Sequence, residues 1–336
     1  VIFIGPSADI ISKMGIKTEA RKIMREAGLP IVPGTETPVQ GIDEVKKVAN
    51  EVGYPIMLKA LAGGGGKGMR LVRTEEEVET ALRLSQSEAG TSFGNDAVYI
   101  EKYIENPHHI EVQIMGDKYG NVVHLYEREC SIQRRNQKVI EESPSPFVKE
   151  ETRKKMLKVA VEACKKIGYY SAGTLEFMMD KDQNFYFLEM NTRLQVEHPV
   201  TEECTGVDLV RDMITVAAGN PLPYKQDDIQ FSGAAIECRI YAEDPENNFI
   251  PSPGVITVRE APEGRNLRLD SAAYAGFEVS LHYDPMIAKL CCWGRTRASA
   301  ISNMARALRE YKILGIKTTI PFHQRVLKNA AFLKGE

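Results

Sequence analysis

Apolar residues recur at helical spacing in several stretches of the chain. In the first stretch Ala20, Met24 and Ala27 share one face, Thr18 is the predicted N-cap, and Gly28 ends the helix. The same reasoning predicts helices from Asp43 to Gly53, from a Thr74/Glu77 capping box to about Glu88, from Glu150 to Ile167, from Asp208 to Ala218, and from Thr296 onward.

Between these helices apolar residues alternate with polar ones, which is the period of a β-strand. Ile110, Val112 and Ile114 face one way, and a turn at 117–120 leads to a second arm at 121–126. Another predicted hairpin has arms at 173–179 and 185–190. Shorter strands are predicted at residues 1–4, 55–60, 69–72 and 98–103. Hairpins mixed with helices indicate an α+β fold rather than a doubly wound parallel sheet.

Composition restricts the class of protein. The chain has 336 residues, of which 43% are hydrophobic and 26% charged, with a formal net charge of −3. This balance does not favour a nucleic-acid partner. The sequence has neither an apolar run of the ~20 residues that span a bilayer nor a signal peptide. Six cysteines without a CxxC pair predict free thiols, so we expect a cytoplasmic protein without a membrane partner.

Four consecutive glycines at 63–66 lie between two predicted strands and precede Lys67. A backbone without Cβ atoms lets successive N–H groups surround an anion, although the same run also fits a mobile loop without a ligand. Lys59 favours phosphate binding. It lies in an apolar strand, where an ammonium without a counter-ion is costly and a triphosphate would satisfy it.

Two glutamates, Glu176 and Glu189, lie on the two arms of one predicted hairpin among apolar neighbours. Paired arms place two carboxylates side by side, and such a pair requires a cation between them. Hard oxygen ligands next to phosphates suit Mg²⁺, and Asn191 is a third candidate ligand. The alternative is two ordinary glutamates that face solvent.

The run 191–199 follows this strand directly. Arg193 can bind a small oxyanion through its planar guanidinium, and Glu197 is a candidate general base. In the run 129–138, Lys138 can join Arg193 at the same anion. The alternative for the run 191–199 is a solvated loop with an Arg–Glu pair. The alternative for the run 129–138 is a basic surface face.

Seven sequence runs together resemble the biotin carboxylase family. They are KALAGGGGKGMRLV (59–72), EKYIENPHHIEVQ (101–113), ERECSIQRRNQK (127–138), GTLEF (173–177), FLEMNTRLQVEHPVTE (187–202), ECRIYAEDP (237–245) and PSPG (251–254). The resemblance extends from about residue 3 to 325. It implies an ATP-grasp fold and an enzyme that uses ATP and bicarbonate to carboxylate biotin.

The resemblance also implies a domain organisation. It comprises a remnant at 1–40 that links to a preceding domain, a glycine-loop lid lobe at 41–104, a catalytic lobe at 105–228 and a C-terminal domain at 229–336. The chain begins at Val1, so we expect it to be part of a longer protein whose N-terminal α/β domain precedes this point.

The family implies roles for individual residues. The residues expected to contact nucleotide phosphates are Lys17, Lys59, Gly63, Gly64, Gly65 and Gly66. Those expected at the adenine are Met69, Glu101, Lys102, Ile104 and Met178, and those at the ribose are His109 and Gln133. Asn136 stands where many family members have His, on the phosphate side.

The remaining implied roles concern the reaction. Mg²⁺ or Mn²⁺ is expected on Glu176, Glu189 and Asn191. The bicarbonate ligands are expected to be Lys138, Arg193, Gln195, Val196 and Glu197, with Glu197 as the base. Arg239 is expected to stabilise the biotin enolate.

The implied partners are a biotin carboxyl carrier protein, the subunits of a carboxyltransferase, and a second copy of the chain in a homodimer. The sequence contains no Met-Lys-Met segment of the kind that carries biotin, so the carrier is expected elsewhere. The segment 141–146 resembles bacterial acetyl-CoA carboxylases, whose product feeds fatty acid synthesis. The components of pyruvate or propionyl-CoA carboxylases, another ATP-grasp ligase such as a carbamoyl-phosphate or amino-acid ligase, and an inactive nucleotide-binding fragment are the alternatives.

Overall fold

The computed structural model describes residues 1–35, 37–39, 41–60, 69–93 and 96–336, with the backbone alone for residues 17, 92 and 93. The helices are α1 (Ala8–Gly15), α2 (Lys17–Ala27), α3 (Ile42–Val52), α4 (Val78–Phe93), α5 (Glu150–Lys166), α6 (His198–Thr205), α7 (Leu209–Ala217), α8 (Arg297–Glu310), α9 (Ile320–Val326) and α10 (Ala330–Lys334). Short 3₁₀ turns occupy Glu75–Glu77 and Gln226–Asp228.

The first strands are β1 (Ile56–Ala60), β2 (Met69–Val72), β3 (Val98–Lys102), β4 (His108–Gly116), β5 (Val122–Arg134), β6 (Gln137–Ser143), β7 (Ser171–Met179), β8 (Phe185–Asn191) and β9 (Ala234–Tyr241). The later strands are β10 (Glu243–Asp244), β11 (Ile250–Pro251), β12 (Gly254–Val255), β13 (Val258–Glu260), β14 (Leu267–Ser271), β15 (Glu278–Val279), β16 (Met286–Gly294) and β17 (Lys312–Leu314). The mixture of sheets and helices confirms the α+β prediction.

Two predicted N-terminal features are wrong. Residues 1–4 form no strand, since they are exposed and pair with no strand in the described part of the chain. The helix with Thr18 as predicted N-cap begins two residues earlier, with Ile16 as its N-cap, and Ser7 caps a separate helix, α1. Gly28 does end α2, with φ of 105° in the left-handed region.

The predicted capping box at the start of α4 is also absent. Thr74 makes no side-chain cap, and the Glu77 carboxylate instead accepts a hydrogen bond of 2.7 Å from the backbone N–H of Arg73. A 3₁₀ turn therefore precedes α4, and the helix continues to Phe93 rather than ending near Glu88. The predicted helix start at Thr296 is confirmed, and the Thr296 hydroxyl caps α8 by accepting from the N–H of Ser299.

The chain divides into two compact units. Unit 1 comprises Val1–Leu29, His108–Phe177 and Glu189–Glu336, and unit 2 comprises Pro30–Pro107 and Met178–Leu188. In unit 2, β1 pairs antiparallel with both β2 and β3. The buried side chains of α3, α4 and these strands form its core, among them Val45, Ile56, Leu58 and Ile100.

A large sheet dominates unit 1, with the strand order β14-β16-β9-β6-β5-β4-β7-β8. Helix α5 contacts β4 and β5, while α6 contacts β5, β6, β9 and β16. Helix α8 covers β9 and β16 with a stripe that includes Ala300, Met304 and Ala307. The central strands are buried over most of their length on both faces, so any polar side chain on them must find its partner within the protein.

Candidate active site

Neighbouring strands of the large sheet carry buried charged side chains that meet each other. Glu111 lies on β4, Arg128 on β5, Lys138 on β6 and Glu176 on β7, and these four strands are adjacent in the sheet. Glu111 and Arg128 lie directly opposite each other in the ladder and are fully buried. Buried charges require partners, and each of these side chains has several.

The Lys138 ammonium is bonded to three carboxylates. It lies 2.9 Å from Glu176 Oε1 and 2.8 Å from Glu197 Oε1, and it also contacts Glu111. An ammonium has three donors, so all of them are used. Burial alone would lower the pKa of Lys138, but the surrounding carboxylates outweigh it and raise the pKa well above the usual value. Lys138 is therefore a permanent positive charge at the centre of the cluster.

Arg128 is a fully buried hydrogen-bond hub beneath this cluster. Its Nε and Nη2 donate to Glu111 Oε2 at 3.1 and 3.0 Å. Its other acceptors are Gln113 Oε1 (2.5 Å), Thr201 Oγ1 (3.2 Å), Thr174 Oγ1 (3.1 Å) and Gln195 Oε1 (2.8 Å). The guanidinium thus joins β4, β7, α6 and the segment before α6 into one polar network.

Glu176 accepts several hydrogen bonds. Its Oε1 accepts from Asn191 Nδ2 and Gln195 Nε2, both at 2.8 Å, in addition to Lys138. Burial would raise its pKa, but His109 and Lys138 outweigh burial and lower the pKa to about 2. Glu176 is therefore ionised at neutral pH.

His109 lies beside the same carboxylate. Its Nε2 is 3.0 Å from Glu176 Oε2 and 3.3 Å from Glu111 Oε1, but it is not aligned for a hydrogen bond to either oxygen. Burial opposes the imidazolium charge, yet the two carboxylates raise the pKa of His109 to about 9. Ligand atoms of His109, Glu111 and Glu176 all lie within 4.8 Å of one another, which is a spacing that a cation can bridge.

Glu197 lies between two cations. Its Oε1 accepts from Lys138, and its Oε2 accepts from Arg239 Nη2 at 3.0 Å. Arg239 on β9 also donates through Nε to Glu141 Oε1 at 2.6 Å, and Glu141 lies on the neighbouring strand β6. Glu197 is buried and is the N-cap residue of α6. The arrangement fixes a carboxylate next to two positive charges, which can also attract an anionic reactant to it.

Glu237 lies opposite Glu141 in the β6–β9 ladder and is fully buried. Neither of its carboxyl oxygens has a hydrogen-bond partner among the described residues. Burial, followed by the charge of Glu141, raises the pKa of Glu237 well above its ordinary value of 4.5. The same cause raises the pKa of Glu141 to about 7, although Arg239 opposes the shift. Burial without a hydrogen-bond partner therefore favours the neutral form of Glu237.

The structure brings most of the predicted reaction residues together. The predicted reaction residues with direct contacts in the cluster are Lys138, Glu176, Asn191, Gln195, Glu197 and Arg239. His109, which was predicted at the ribose, lies beside Glu176 in the same cluster. Arg193 is exposed, and its guanidinium donates to Leu194 O at 3.2 Å rather than to the cluster. Glu189 is half-buried. Among the described side chains, it is not part of the group formed by His109, Glu111 and Glu176, whose ligand atoms lie within 4.8 Å of one another. Val196 contributes its carbonyl, which accepts from Lys289 Nζ at 2.8 Å.

Two further predicted residues belong to the β5–β6 hairpin. Gln133 Nε2 donates to Cys130 O at 2.8 Å. Asn136 is exposed in the two-residue turn, where Arg135 has φ of 51° and Asn136 has φ of 63°. Positive φ at both central positions matches a type I′ turn, in which Asn is favoured.

The predicted adenine and phosphate residues of unit 2 lie on or beside its sheet. Lys59 pairs with Glu101, so its ammonium already has a counter-ion within the protein, where the sequence pattern predicts that a triphosphate supplies one. Lys102 Nζ donates to the carbonyls of Gly53 and Tyr54 at 2.8 and 2.9 Å. Ile104 is buried, Met69 is exposed and Met178 is half-buried. Gly63–Gly66 and the side chain of Lys17 lie outside the described part of the chain.

Sequence reasoning missed Glu111 and Arg128. Glu111 alternates with Ile110 and Val112, a pattern that is typical of a solvent-facing side, and Arg128 stands between Glu127 and Glu129 in a charged triplet that is typical of a surface. The signal that was available is the opposite charge of two residues on paired strands, which is useful only once the register is known.

Two family models match the chain in succession. The model described as "Carbamoyl-phosphate synthase L chain, ATP binding domain" matches residues 17–225, and the model described as "Biotin carboxylase C-terminal domain" matches residues 237–336. Biotin carboxylase 1 of Bacillus subtilis is 55% identical over 337 residues, which cover 100% of this chain and 75% of that protein.

The chain belongs to the biotin carboxylase family. The C-terminal match separates it from the carbamoyl-phosphate and amino-acid ligase alternative, so the chain is an ATP-grasp ligase of the biotin carboxylase type. This confirms the resemblance and the expected ATP-grasp fold.

Other biotin carboxylase relatives agree with this assignment. A pyruvate carboxylase subunit from Methanothermobacter thermautotrophicus is 53% identical and aligns with 99% of this chain and 68% of its own length. A solved biotin carboxylase domain of a thermophilic 2-oxoglutarate carboxylase, bound to bicarbonate, has a TM-score of 0.95 and 47% identity over 100% of this chain and 74% of that one. No described helix has the length and apolar character needed to cross a membrane.

Proposed function

We propose that this chain catalyses the ATP- and bicarbonate-dependent carboxylation of biotin on a biotin carboxyl carrier protein. The observation that carries the proposal is the buried chain of contacts from Glu176 through Lys138 and Glu197 to Arg239. It offers a base between two cations next to a second ionised carboxylate. Biotin carboxylase homologues at about half identity support the same reaction class.

In the proposed reaction bicarbonate binds beside Lys138, Gln195, Val196 and Arg193. Glu197 removes its proton, and the resulting oxygen attacks the γ-phosphorus of ATP to give ADP and carboxyphosphate. Carboxyphosphate decomposes to CO₂ and phosphate. Phosphate then removes the N1 proton of biotin, Arg239 offsets the enolate charge, and N1 attacks CO₂. Because all three Lys138 donors are occupied by carboxylates, bicarbonate must compete with one of them.

Oxygen ligands on the neighbouring strands β7 and β8 suit a divalent cation. Glu176 on β7 is ionised and accepts from Asn191 Nδ2, and Glu189 lies on β8 with Asn191. We propose that Glu176 and Glu189, with Asn191, hold Mg²⁺ or Mn²⁺, which would supply positive charge to the transferring phosphoryl group. A solved biotin carboxylase domain dimer of Hydrogenobacter thermophilus in complex with MgADP and bicarbonate supports the same cofactors and a homodimer.

ADP release is the direct test. The purified chain should cleave ATP with Mg²⁺ only when bicarbonate and free biotin are both present. Glu197→Gln should reduce this rate by about 10²- to 10⁴-fold, because the general base is lost. Glu310→Gln is the matched control, since Glu310 pairs only with the exposed Arg306 in the described part of the chain. Cleavage that ignores bicarbonate contradicts the proposal, and nucleotide binding without cleavage favours the inactive-fragment alternative.

We further propose that the acceptor system is acetyl-CoA carboxylase, acting in fatty acid synthesis in the cytoplasm with separate carboxyltransferase subunits. The support is the 141–146 segment, together with several close relatives that are named simply biotin carboxylase. Relatives from pyruvate and propionyl-CoA carboxylases are almost as similar. Carboxylation of purified carrier proteins from the three enzyme classes, compared by kcat/KM, decides the matter, and preference for a pyruvate carboxylase carrier would refute the choice.

A further inference from the structure

Lys289 contacts the segment that bears the base but belongs to none of the roles described so far. It lies on β16 directly opposite Arg239 on β9. Its Nζ donates to Val196 O at 2.8 Å and lies 3.4 Å from Asp270 Oδ2. The side chain is only 14% exposed. A lysine that buries its ammonium against a loop carbonyl is held there by specific partners.

The segment 195–197 is anchored at each residue by a different group. The Gln195 side chain bonds to Arg128 and Glu176, and Glu197 bonds to Lys138 and Arg239. These contacts hold side chains, and they leave the orientation of the peptide planes undetermined.

The peptide planes are held from two sides. His198 Nδ1 lies 2.8 Å from Gln195 O and holds the plane before Val196. Lys289 holds the next plane, which contains Val196 O and the N–H of Glu197. Because a peptide unit is planar and rigid, fixing its carbonyl also fixes the Cα from which the Glu197 side chain projects.

Lys289 is itself aligned by a second network. Arg268 on β14 donates to both oxygens of Asp270 at 3.0 Å, and its Nη1 donates to Glu202 Oε2 on α6 at 2.5 Å. Glu202 Oε1 accepts from the N–H of Leu209 at the start of α7. Strands β14 and β16 therefore connect through charged groups to the same helix whose N-cap is Glu197.

We propose that Lys289 is a positioning residue for the carboxylation reaction. It orients the Val196–Glu197 peptide, and through that peptide it sets the bicarbonate contact of Val196 and the aim of the Glu197 carboxylate. The proposal rests on the proposed function. Lys289 touches no reacting atom, so its removal should disturb bicarbonate use and turnover while it leaves the nucleotide unaffected.

The test compares Lys289→Met, Lys289→Arg and the control Lys312→Met. Lys312 is half-exposed on β17. It pairs with Glu260, which is not a member of the buried cluster. Lys289→Met should lower kcat by about 10- to 100-fold, because small misplacements of a reacting group cost this much, and should raise KM for bicarbonate. KM for ATP should stay within about twofold of the wild type. Lys289→Arg should recover most of the rate, because it restores a donor and a charge.

Two further measurements distinguish a misfolded variant and an incorrect proposed function from an incorrect role for Lys289. Fluorescence of Trp293, on the same strand, checks that each variant is folded, and Asp270→Asn provides a milder variant that keeps Lys289 while it removes its acidic neighbour. Broadening of the ¹³C-bicarbonate signal by the protein reports binding without turnover. A wild type without bicarbonate-dependent cleavage refutes the proposed function. A folded Lys289→Met variant with wild-type bicarbonate binding and kcat refutes the role of Lys289, and so does an equal rise of both KM values.

Discussion

Replacement of Arg128 by Met tests whether the buried hub holds the site together. The substitution removes a fully buried guanidinium and leaves Glu111, Gln113, Thr174, Thr201 and Gln195 without that donor. Loss of one partner of a buried ion pair costs about 3–5 kcal/mol. Because Lys138 still contacts Glu111, we expect about 3 kcal/mol, the lower end of that range.

Urea unfolding followed by tryptophan fluorescence measures this loss in unit 1. Trp293 is the single tryptophan, and its indole N–H donates to Ser232 O at 3.0 Å. With a slope of about 2–3 kcal/mol per molar urea, the midpoint should fall by about 1–1.5 M. Glu310→Gln, which weakens a partly exposed pair with Arg306, should move the midpoint little.

A double substitution isolates the charge. Glu111→Gln in the Arg128→Met background should recover part of the lost stability, because the fully buried carboxylate that Arg128 had paired is then replaced by a neutral group. The hub would be refuted if Arg128→Met had the same urea midpoint as the wild type. It would also be refuted if the double variant lost more unfolding free energy than the two single variants lose together.

Further predictions concern Glu237, Glu176 and Asn136. The pKa of Glu237 is raised in the folded chain, whereas in the unfolded chain the Glu237 carboxyl ionises at its ordinary value of 4.5. The free energy of unfolding should therefore fall as pH rises from 4.5 towards the raised pKa. Glu237→Gln should weaken this fall of the urea midpoint as pH rises above about 5, and an unchanged pH dependence would contradict the raised pKa of Glu237. Glu176→Gln should weaken Mg²⁺-dependent ADP binding in calorimetry and leave Mg²⁺-free ADP binding unchanged, and equal losses in both titrations would remove Glu176 from the metal site. Asn136→Val should cost about 1 kcal/mol because of its positive φ, whereas Asn136→Gly should cost less, so equal effects on the melting temperature would argue against the type I′ turn.

The local pattern of the sequence determined most of the elements. The stripe of α2 and its glycine stop, the helices that begin at Asp208 and Thr296, and both hairpins follow from spacing and punctuation, and the structure confirms them. The sequence also indicated some members of the cluster. A glutamate among aromatic and aliphatic neighbours is a candidate for a functional site, because charged side chains are rarely buried without a partner. Helix α6 was missed, because the run 191–199 was interpreted as a loop that carries chemistry.

Tertiary structure alone decided how the charges are combined. Lys138 meets Glu197 across 59 positions of chain, and Arg239 meets the same carboxylate across 42. An alternating strand shows which residues share a face but not whether that face is covered, so Glu111 could not be assigned to the interior. Arg128 lies in the charged triplet 127–129, which by itself is typical of a surface. Burial then gives these groups their electrostatic properties, because the cost of desolvation and the strength of each ion pair depend on what the folded chain places around them.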